Sequence, residues 1–519
     1  MIRGRRITRT ALLATVVSSA FALLVSGCST PDSTSNQSGT TSGSTSGTLV
    51  VGVTSEADTL FPWKATQFQA VNVMQTLYGT LTEFDQDLNV VPGLAQSWEI
   101  STDGLTVTFH LRSGVTFHDG SVFDSADVKY SLDAIMDEAT AAVSASSLAS
   151  VTQVQTPDAD TVVLTLSAPD AGLLANLAVI NMAMLSSDSN EQDLSVTPNG
   201  TGPFRFQDRK ANQSLTVARN DSYWGDEVKV GAVEFRVIPD ETSIVSAMQS
   251  GNVQMAVFDD PLVAQTAQSS TITITKTPQL SYHVLQLNDR QGALTDVNLR
   301  LAMQCAIDRQ QVLDTAAMGE GEVTGPITSP AYKSDPASRP CPTRDLNKAA
   351  EYLAKSAYPD GVTISTIVSQ GEYSTSVNEA QNLKAQLADA NINLDLEILE
   401  SGAYVDRWIA ADFEAAVALN GGRPDPDGMY SRYFTSTGNL NKVAGYSSDT
   451  LDTLFAQGRQ TSDPSQRKAI YTKISNELED QAVWIWMFTS YTYTATSGVQ
   501  GFIPMANSSM QYLRAASLG

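Results

Sequence analysis

The sequence predicts a mixed α/β fold in more than one lobe, and three observations carry that expectation. Strand-like and helix-like periodicities alternate along the chain, several strand patterns are joined by Asp/Gly turns, and the body after residue 47 is too long for one ordinary core. No internal repeat interrupts the alternation.

Taken in order, Leu49-Val50-Val51-Gly52-Val53 reads as a buried strand. Residues 105–111 alternate, with Leu105, Val107, Phe109 and Leu111 on one face after an Asp103-Gly104 turn. Asp124 or Ser125 caps a helix whose apolar face is Val128, Leu132 and Ile135. Residues 151–155 and 161–166 flank Asp158-Ala159-Asp160, a second hairpin pattern. Asp240 caps a helix that puts Ile244 and Met248 together, and Asp296 precedes one long helix holding Leu299, Met303, Ala306 and Leu313. Ala380, Leu383, Leu387 and Ala390 share a stripe. Asp463-Pro464 opens a last helix with proline at its first position and Ile470, Ile474 and Leu478 as its core face.

The first 47 residues read differently. Arg3, Arg5, Arg6 and Arg9 precede an uncharged apolar stretch, residues 11–25, shorter than the roughly 20 residues a span needs. That is the layout of a secretory signal over residues 1–27. Val25-Ser26-Gly27-Cys28 resembles a bacterial lipobox, which implies a lipidated Cys28 as the first mature residue. Residues 29–47 are built from Ser, Thr, Gly, Asn and Gln, with one Pro and one Asp. They cannot bury enough surface to offset ordering, so 28–47 is expected to be a flexible leash spanning about 24 Å. The expected place is therefore extracytoplasmic, on the outer face of the cell membrane and held there by lipid alone.

Composition narrows the partners. The formal charge is −24, and −28 once the four arginines of the signal are removed. Such acidity argues against nucleic acid and anionic lipid surfaces, and fits a soluble secreted surface. Cys305 and Cys341 remain after Cys28, and an oxidising compartment leaves a disulfide between them open. Enzyme signatures are missing: there is no Gly-x-Ser-x-Gly, no His-Glu-x-x-His and no Gly-Lys dipeptide, and the only histidines are His110, His118 and His283. With so few histidines and no Cys pair at ligand spacing, no metal cage and no cofactor are expected.

Several blocks, in order, resemble the family 5 extracellular solute-binding proteins of oligopeptide, dipeptide and nickel type. They are Asp58-Thr59-Leu60-Phe61-Pro62, Leu77-Tyr78-Gly79-Thr80-Leu81, residues 91–99, residues 105–120, Gly200-Thr201-Gly202-Pro203-Phe204, Tyr223-Trp224-Gly225, Ala306-Ile307-Asp308-Arg309 and Asp425-Pro426-Asp427. The resemblance implies a type II periplasmic-binding-protein body with two lobes, a hinged cleft and an inserted small domain. Domain I would take 48–84, 198–281 and 491–519, the inserted domain 85–197, and domain III 282–490. Hinge strands are expected near 282–288 and 484–491.

By the same resemblance the chain is the monomeric receptor of an ABC importer, delivering a peptide-like solute to permease subunits. A receptor for a signal or a metal-chelator complex, and a secreted hydrolase, stand as alternatives. The resemblance places the solute against the turn with Trp63, Thr66, Gln67 and Phe68, and against Leu419, Asn420, Gly421, Gly422 and Arg423. Tyr404, Trp408 and Trp486 are either an aromatic wall of the cleft or core. Relatives place an aspartate for the ligand's ammonium where this chain has Gly422 or Arg423. An arginine fork suits carboxylate or phosphate instead, unless it points to solvent.

Overall fold

The computed structural model describes residues 47–370, 373 and 375–519. The signal segment, Cys28 and all of the leash except Gly47 fall outside them. Among the described residues one twelve-stranded sheet runs through the body. Its order is Ile392–Glu400, Val362–Gln370, Ala415–Asn420, Tyr282–Leu287, Trp484–Thr496, Met255–Phe258, Thr48–Val53, Ala232–Val237, Ser214–Arg219 and Phe204–Lys210. Thr273–Pro278 and Gly321–Val323 also pair with Trp484–Thr496. Thr48–Val53 lies parallel to both neighbours, so it is covered on both faces and reads as a continuous apolar run.

The 13-residue strand Trp484–Thr496 joins two half-sheets. Its first part pairs with Tyr282–Leu287 (Val284 opposite Trp486), and its second with Met255–Phe258 (Phe258 opposite Tyr493). The register slips between His283 and Val284, at the changeover. There His283 Nε2 lies 2.7 Å from Ser490 Oγ, and the ring stacks on Phe488 at 4.2 Å between centroids. Its Nδ1 stands 2.9 Å from Glu379 Oε1 but out of line for a hydrogen bond.

Packing follows the two halves. One core contains Leu49, Val51 and Phe235 and runs without a break into an antiparallel sheet of Ala95–Ile100, Thr106–Leu111, Thr161–Leu166 and Val151–Asp158. Val107, Phe109 and Leu111 alternate inward from Thr106–Leu111. Val128, Leu132 and Ile135 of helix Ser125–Met136 join the same core, under a capping box of Asp124 and Asp127. Asp240 and Asp463 cap their helices through Ser243 and Gln466. In the second half, Leu285, Leu299, Met303, Val368 and Leu383 form one core, and Tyr430, Phe434, Trp484 and Trp486 another.

The single long helix expected after Asp296 is two helices, Val297–Ala306 and Arg309–Ala316. Asp308 accepts from the Gln311 N–H at 3.0 Å and so caps the second, while Ile307 is extended between them. The apolar stripe runs on across the break because Ile307 and Leu313 bury in the same core. Periodicity alone therefore hid it.

His118 docks the inserted segment, the stretch between Thr48–Val53 and Phe204–Lys210 that carries the four-stranded antiparallel sheet, on the first half. Its Nδ1 accepts from the Gly200 N–H at 3.2 Å, and Nε2–H donates to Gly202 O at 3.2 Å, an arrangement only neutral imidazole satisfies. Burial pushes its pKa down to about 4, and the Gly202 carbonyl only partly opposes this. Because the folded value is depressed below that of a free imidazole, the contribution is complete above about pH 6.5 and is lost as pH falls toward 4. Its size is on the order of 3 kcal/mol. We expect thermal unfolding midpoints at pH 7, 5.5 and 4 to fall less steeply in His118→Gln, whose amide keeps one donor and one acceptor but does not titrate. Equal slopes would refute this. Comparing the two proteins isolates His118 from Asp289 and Asp427, both raised to about 6 by burial and acting in the opposite sense.

Candidate binding cleft

A cavity of about 310 Å³ lies where both half-sheets and the inserted segment meet. The first half lines it with Val71 and Gln75 of helix Phe68–Leu77, with Gly79, and with Tyr223 and Trp224. The inserted segment adds Asn176 and Asn181, and the second half adds Gly422, Arg423 and Asp425. Backbone packing brings these together. At Gly202 a Cβ would sit 2.5 Å from the Leu77 carbonyl carbon, and at Gly422 it would sit 2.1 Å from Leu280 O. Only glycine lets the 419–423 loop pass so close to the start of Tyr282–Leu287. The inserted segment also touches the second half directly, where the Ala171 N–H donates to Arg459 O at 2.8 Å.

Three further contacts fix the loop. Ser329 Oγ donates to Arg423 O at 2.6 Å, and Thr328 Oγ1 to Leu280 O at 2.5 Å. Behind it Arg467 grips Asp425 with both guanidinium nitrogens, at 2.5 and 3.0 Å. Burial works against that cation, but Asp425 outweighs it and holds the arginine's pKa above its ordinary value. Asn181 Nδ2 donates to Pro62 O and Ala65 O at 2.7 and 2.9 Å, tying the first turn to the cavity wall. Glu83 and Arg514 pair at 2.7 Å, and Arg514 Nη1 donates to Tyr223 OH at 3.3 Å. Burial, then Glu83, pushes that phenol up to about 12.

Of the residues expected from sequence, Gly422 and Arg423 line the cavity. Trp63 is buried, with its indole donating to Ala183 O at 2.9 Å and its ring on Phe61, so it offers a solute no free surface. Thr66 and Gln67 are exposed, and Phe68 opens its helix. Tyr404 is core, its hydroxyl donating to Val417 O at 2.9 Å, and Trp486 is fully buried beside Phe434 and Trp484. For Tyr404 and Trp486 the core alternative is the one the packing favours, because each ring is enclosed, and Trp63, expected against the solute, is enclosed as well. Trp408 is half-buried and donates to Gln286 Oε1 at 2.6 Å. Gln286 donates in turn to Asn420 Oδ1 at 3.3 Å, which sets the end of Ala415–Asn420, while Leu419 and Gly421 stay exposed. Asn176, Asn181, Tyr223 and Trp224 had no role in the expectation. Only Tyr223-Trp224 carried a sequence signal, as a structural block.

The disulfide left open by sequence is present, joining Cys305 to Cys341. Among the described residues no group of three or more His, Cys, Asp or Glu is placed to hold a metal ion.

The profile of bacterial extracellular solute-binding proteins, family 5 Middle, matches residues 89–441. The glutathione-binding protein GsiB of Pectobacterium atrosepticum is 25% identical over 473 residues, 86% of this chain and 90% of that protein. HbpA2 from Haemophilus parasuis superposes with a TM-score of 0.83 at 24% identity, over 91% of this chain and 100% of its own. DppA from Helicobacter pylori, solved with the peptide STSA, gives 0.73 at 25% identity, over 91% and 98%. The first and last of these show what similar chains hold, and HbpA2 shows the fold.

Proposed function

The chain belongs to the bacterial extracellular solute-binding proteins of family 5, and from that premise we propose that it is the solute-capturing subunit of an ABC importer. It closes on a peptide or peptide-like solute and hands it to permease subunits. The observation that carries this reading is Trp484–Thr496, one strand serving two half-sheets beside a cavity lined from both. Small rotations in that strand and in Tyr282–Leu287 would open and shut the cavity. Contacts made to the solute only in the shut form then favour closure.

In this reading 48–84, 198–281 and 491–519 form one lobe, 282–490 the other, and 85–197 the inserted domain. The solute lies between the turn bearing Thr66 and Gln67 and the loop Leu419, Asn420, Gly421, Gly422 and Arg423. A cavity of a few hundred Å³ suits a short peptide. Glutathione, held by GsiB, and the peptide STSA, held by DppA, are of that size. Cys28 anchors the monomer by lipid to the outer face of the membrane, with the leash letting the body reach its permease.

We assign no catalytic role. Ser490, His283 and Glu379 stand in the order of a hydrolytic triad, yet the imidazole is enclosed by Phe488 and Tyr373 and misaligned with Glu379. A hinge clasp accounts for them better.

The test is native mass spectrometry of the full-length protein in detergent, with titration calorimetry against Ser-Thr-Ser-Ala and glutathione. One solute per chain, or one-to-one heat from either probe, is the expected result. A protein that carries no solute and binds neither probe rules against the reading.

A further inference from the structure

In a chain with 56 acidic and 32 basic residues, Arg423 of the cavity wall and Arg432 behind it have no ion-paired carboxylate among the described residues. Four charged side chains line the cavity: Glu83, Arg423, Asp425 and Arg514. Glu83 and Arg514 neutralise each other, and Asp425 is taken by Arg467. Arg423 is the one left over. Among the described residues no carboxylate lies within ion-pair distance of it, and its guanidinium donates no hydrogen bond to protein.

Arg423 is exposed on the cavity side, yet its chain lies along the neighbouring helix. Its Cδ and Nη1 lie 3.7 and 3.8 Å from where a Cβ on Gly428 would stand, and Asn176 Oδ1 lies 3.8 Å from the same point. The guanidinium therefore lies over the start of helix Asp427–Phe434, within the cavity wall. Burial lowers its pKa, and the charge that adds to this is a like one, Arg432. Arg432 is itself without an acidic partner: Nε is buried and unsatisfied, Nη2 meets the Met429 sulfur at 3.5 Å, and Tyr433 supplies its hydroxyl and a ring 5.1 Å away. The two like charges repel with no carboxylate between them, and the half-buried Arg432 carries most of the desolvation cost.

We propose that Arg423, with Arg432 behind it, anchors an anionic group of the solute, so that the class captured is acidic peptides and peptide-like acids rather than peptides held by a free amine. The proposal rests on the receptor reading above. A carboxylate at Arg423 would accept two parallel N–H bonds and supply the missing counter-charge, while Asn176, near the same helix start, keeps one amide N–H after donating the other to Ser147 O. The backbone of the position is independent of its side chain, since Ser329 holds the carbonyl. Arg423 variants therefore fold.

Calorimetry on full-length protein with three matched probes tests this: trialanine, N-acetyl-trialanine and N-succinyl-trialanine, the last carrying a carboxylate in place of the amine. Wild type is expected to bind the succinyl probe at least about tenfold more tightly than trialanine. Arg423→Ala should erase that preference, Arg423→Asp should reverse it, and Arg423→Lys should keep part of it, all with unchanged thermal midpoints. A preference that survives Arg423→Ala, or wild type favouring trialanine, overturns the anchor and leaves the receptor reading intact. So does a co-purified solute that lacks an acidic group. If no probe binds and no solute co-purifies, both readings fall together.

Discussion

Replacing Arg467 with methionine will destabilise the second lobe by about 3–5 kcal/mol, the cost of leaving one partner of a buried ion pair uncompensated. Arg467 is 4% exposed and donates to Asp425 twice, to Gly458 O at 2.9 Å and to Tyr332 OH at 2.9 Å. Tyr332 and Tyr471 flank its guanidinium at 5.2 and 5.1 Å. Methionine fills much of the volume but strands Asp425 and leaves Gly458 O short of a donor. The damage should reach the cleft, because Asp425 ends the loop that presents Gly422 and Arg423. Urea unfolding followed by near-ultraviolet dichroism reads the stability, and calorimetry reads the affinity. A second variant sharpens the result: Arg467→Met with Asp425→Leu should recover part of the loss, since removing both charges leaves no orphan. A single variant costing less than about 1 kcal/mol, or a double variant costing more than the sum of the two, would show that the pair does not hold the loop.

What was legible in the sequence was mostly local. Asp124, Asp240, Asp296 and Asp463 announce helix starts because a cap acts within three residues, and each does accept from its helix. The strand alternation in 105–111 was readable for the same reason. Asp308 is also a cap, but its signal was masked by apolar residues that continue on both sides of the break. The cleft was harder. Gly422 and Arg423 came through resemblance to a family, not through any property of a Gly-Gly-Arg string. Tyr404 and Trp486 came with them because an aromatic ring looks the same in sequence whether it faces a ligand or a core. Asn176 and Asn181 lie about 240 positions from Arg423 in the chain. They share a cavity wall with it through tertiary contacts such as Ala171 on Arg459, which leave no local pattern.

Removing the disulfide should cost about 4 kcal/mol, the chain-entropy value for a bridge closing a loop of this size. Cys305 and Cys341 are separated by 36 positions, with Cα atoms 5.0 Å apart, and both are buried. Much of the enclosed segment is irregular. After Arg309–Ala316 it holds one three-residue strand, Gly321–Val323, and two short turns, Pro330–Tyr332 and Pro336–Ser338. Few backbone bonds pin it, so restricting the unfolded chain matters more here than in a helix. Yet this segment supplies Thr328 and Ser329, which hold Leu280 O and Arg423 O, and Arg339, which donates to Thr324 O at 2.6 Å. The bridge thus fastens the floor beneath the solute loop. Cys305→Ala with Cys341→Ala should lower the thermal midpoint by roughly 4 °C, since the entropy of unfolding scales with the whole body. At 25 °C the folded variant should keep its affinity within about threefold, because Thr328 and Ser329 make their own bonds. Reductant added in mild urea should lower the wild-type midpoint to that of the double variant and leave the variant unmoved. If wild type unfolds at the same urea concentration with and without reductant, the bridge is not what secures the segment.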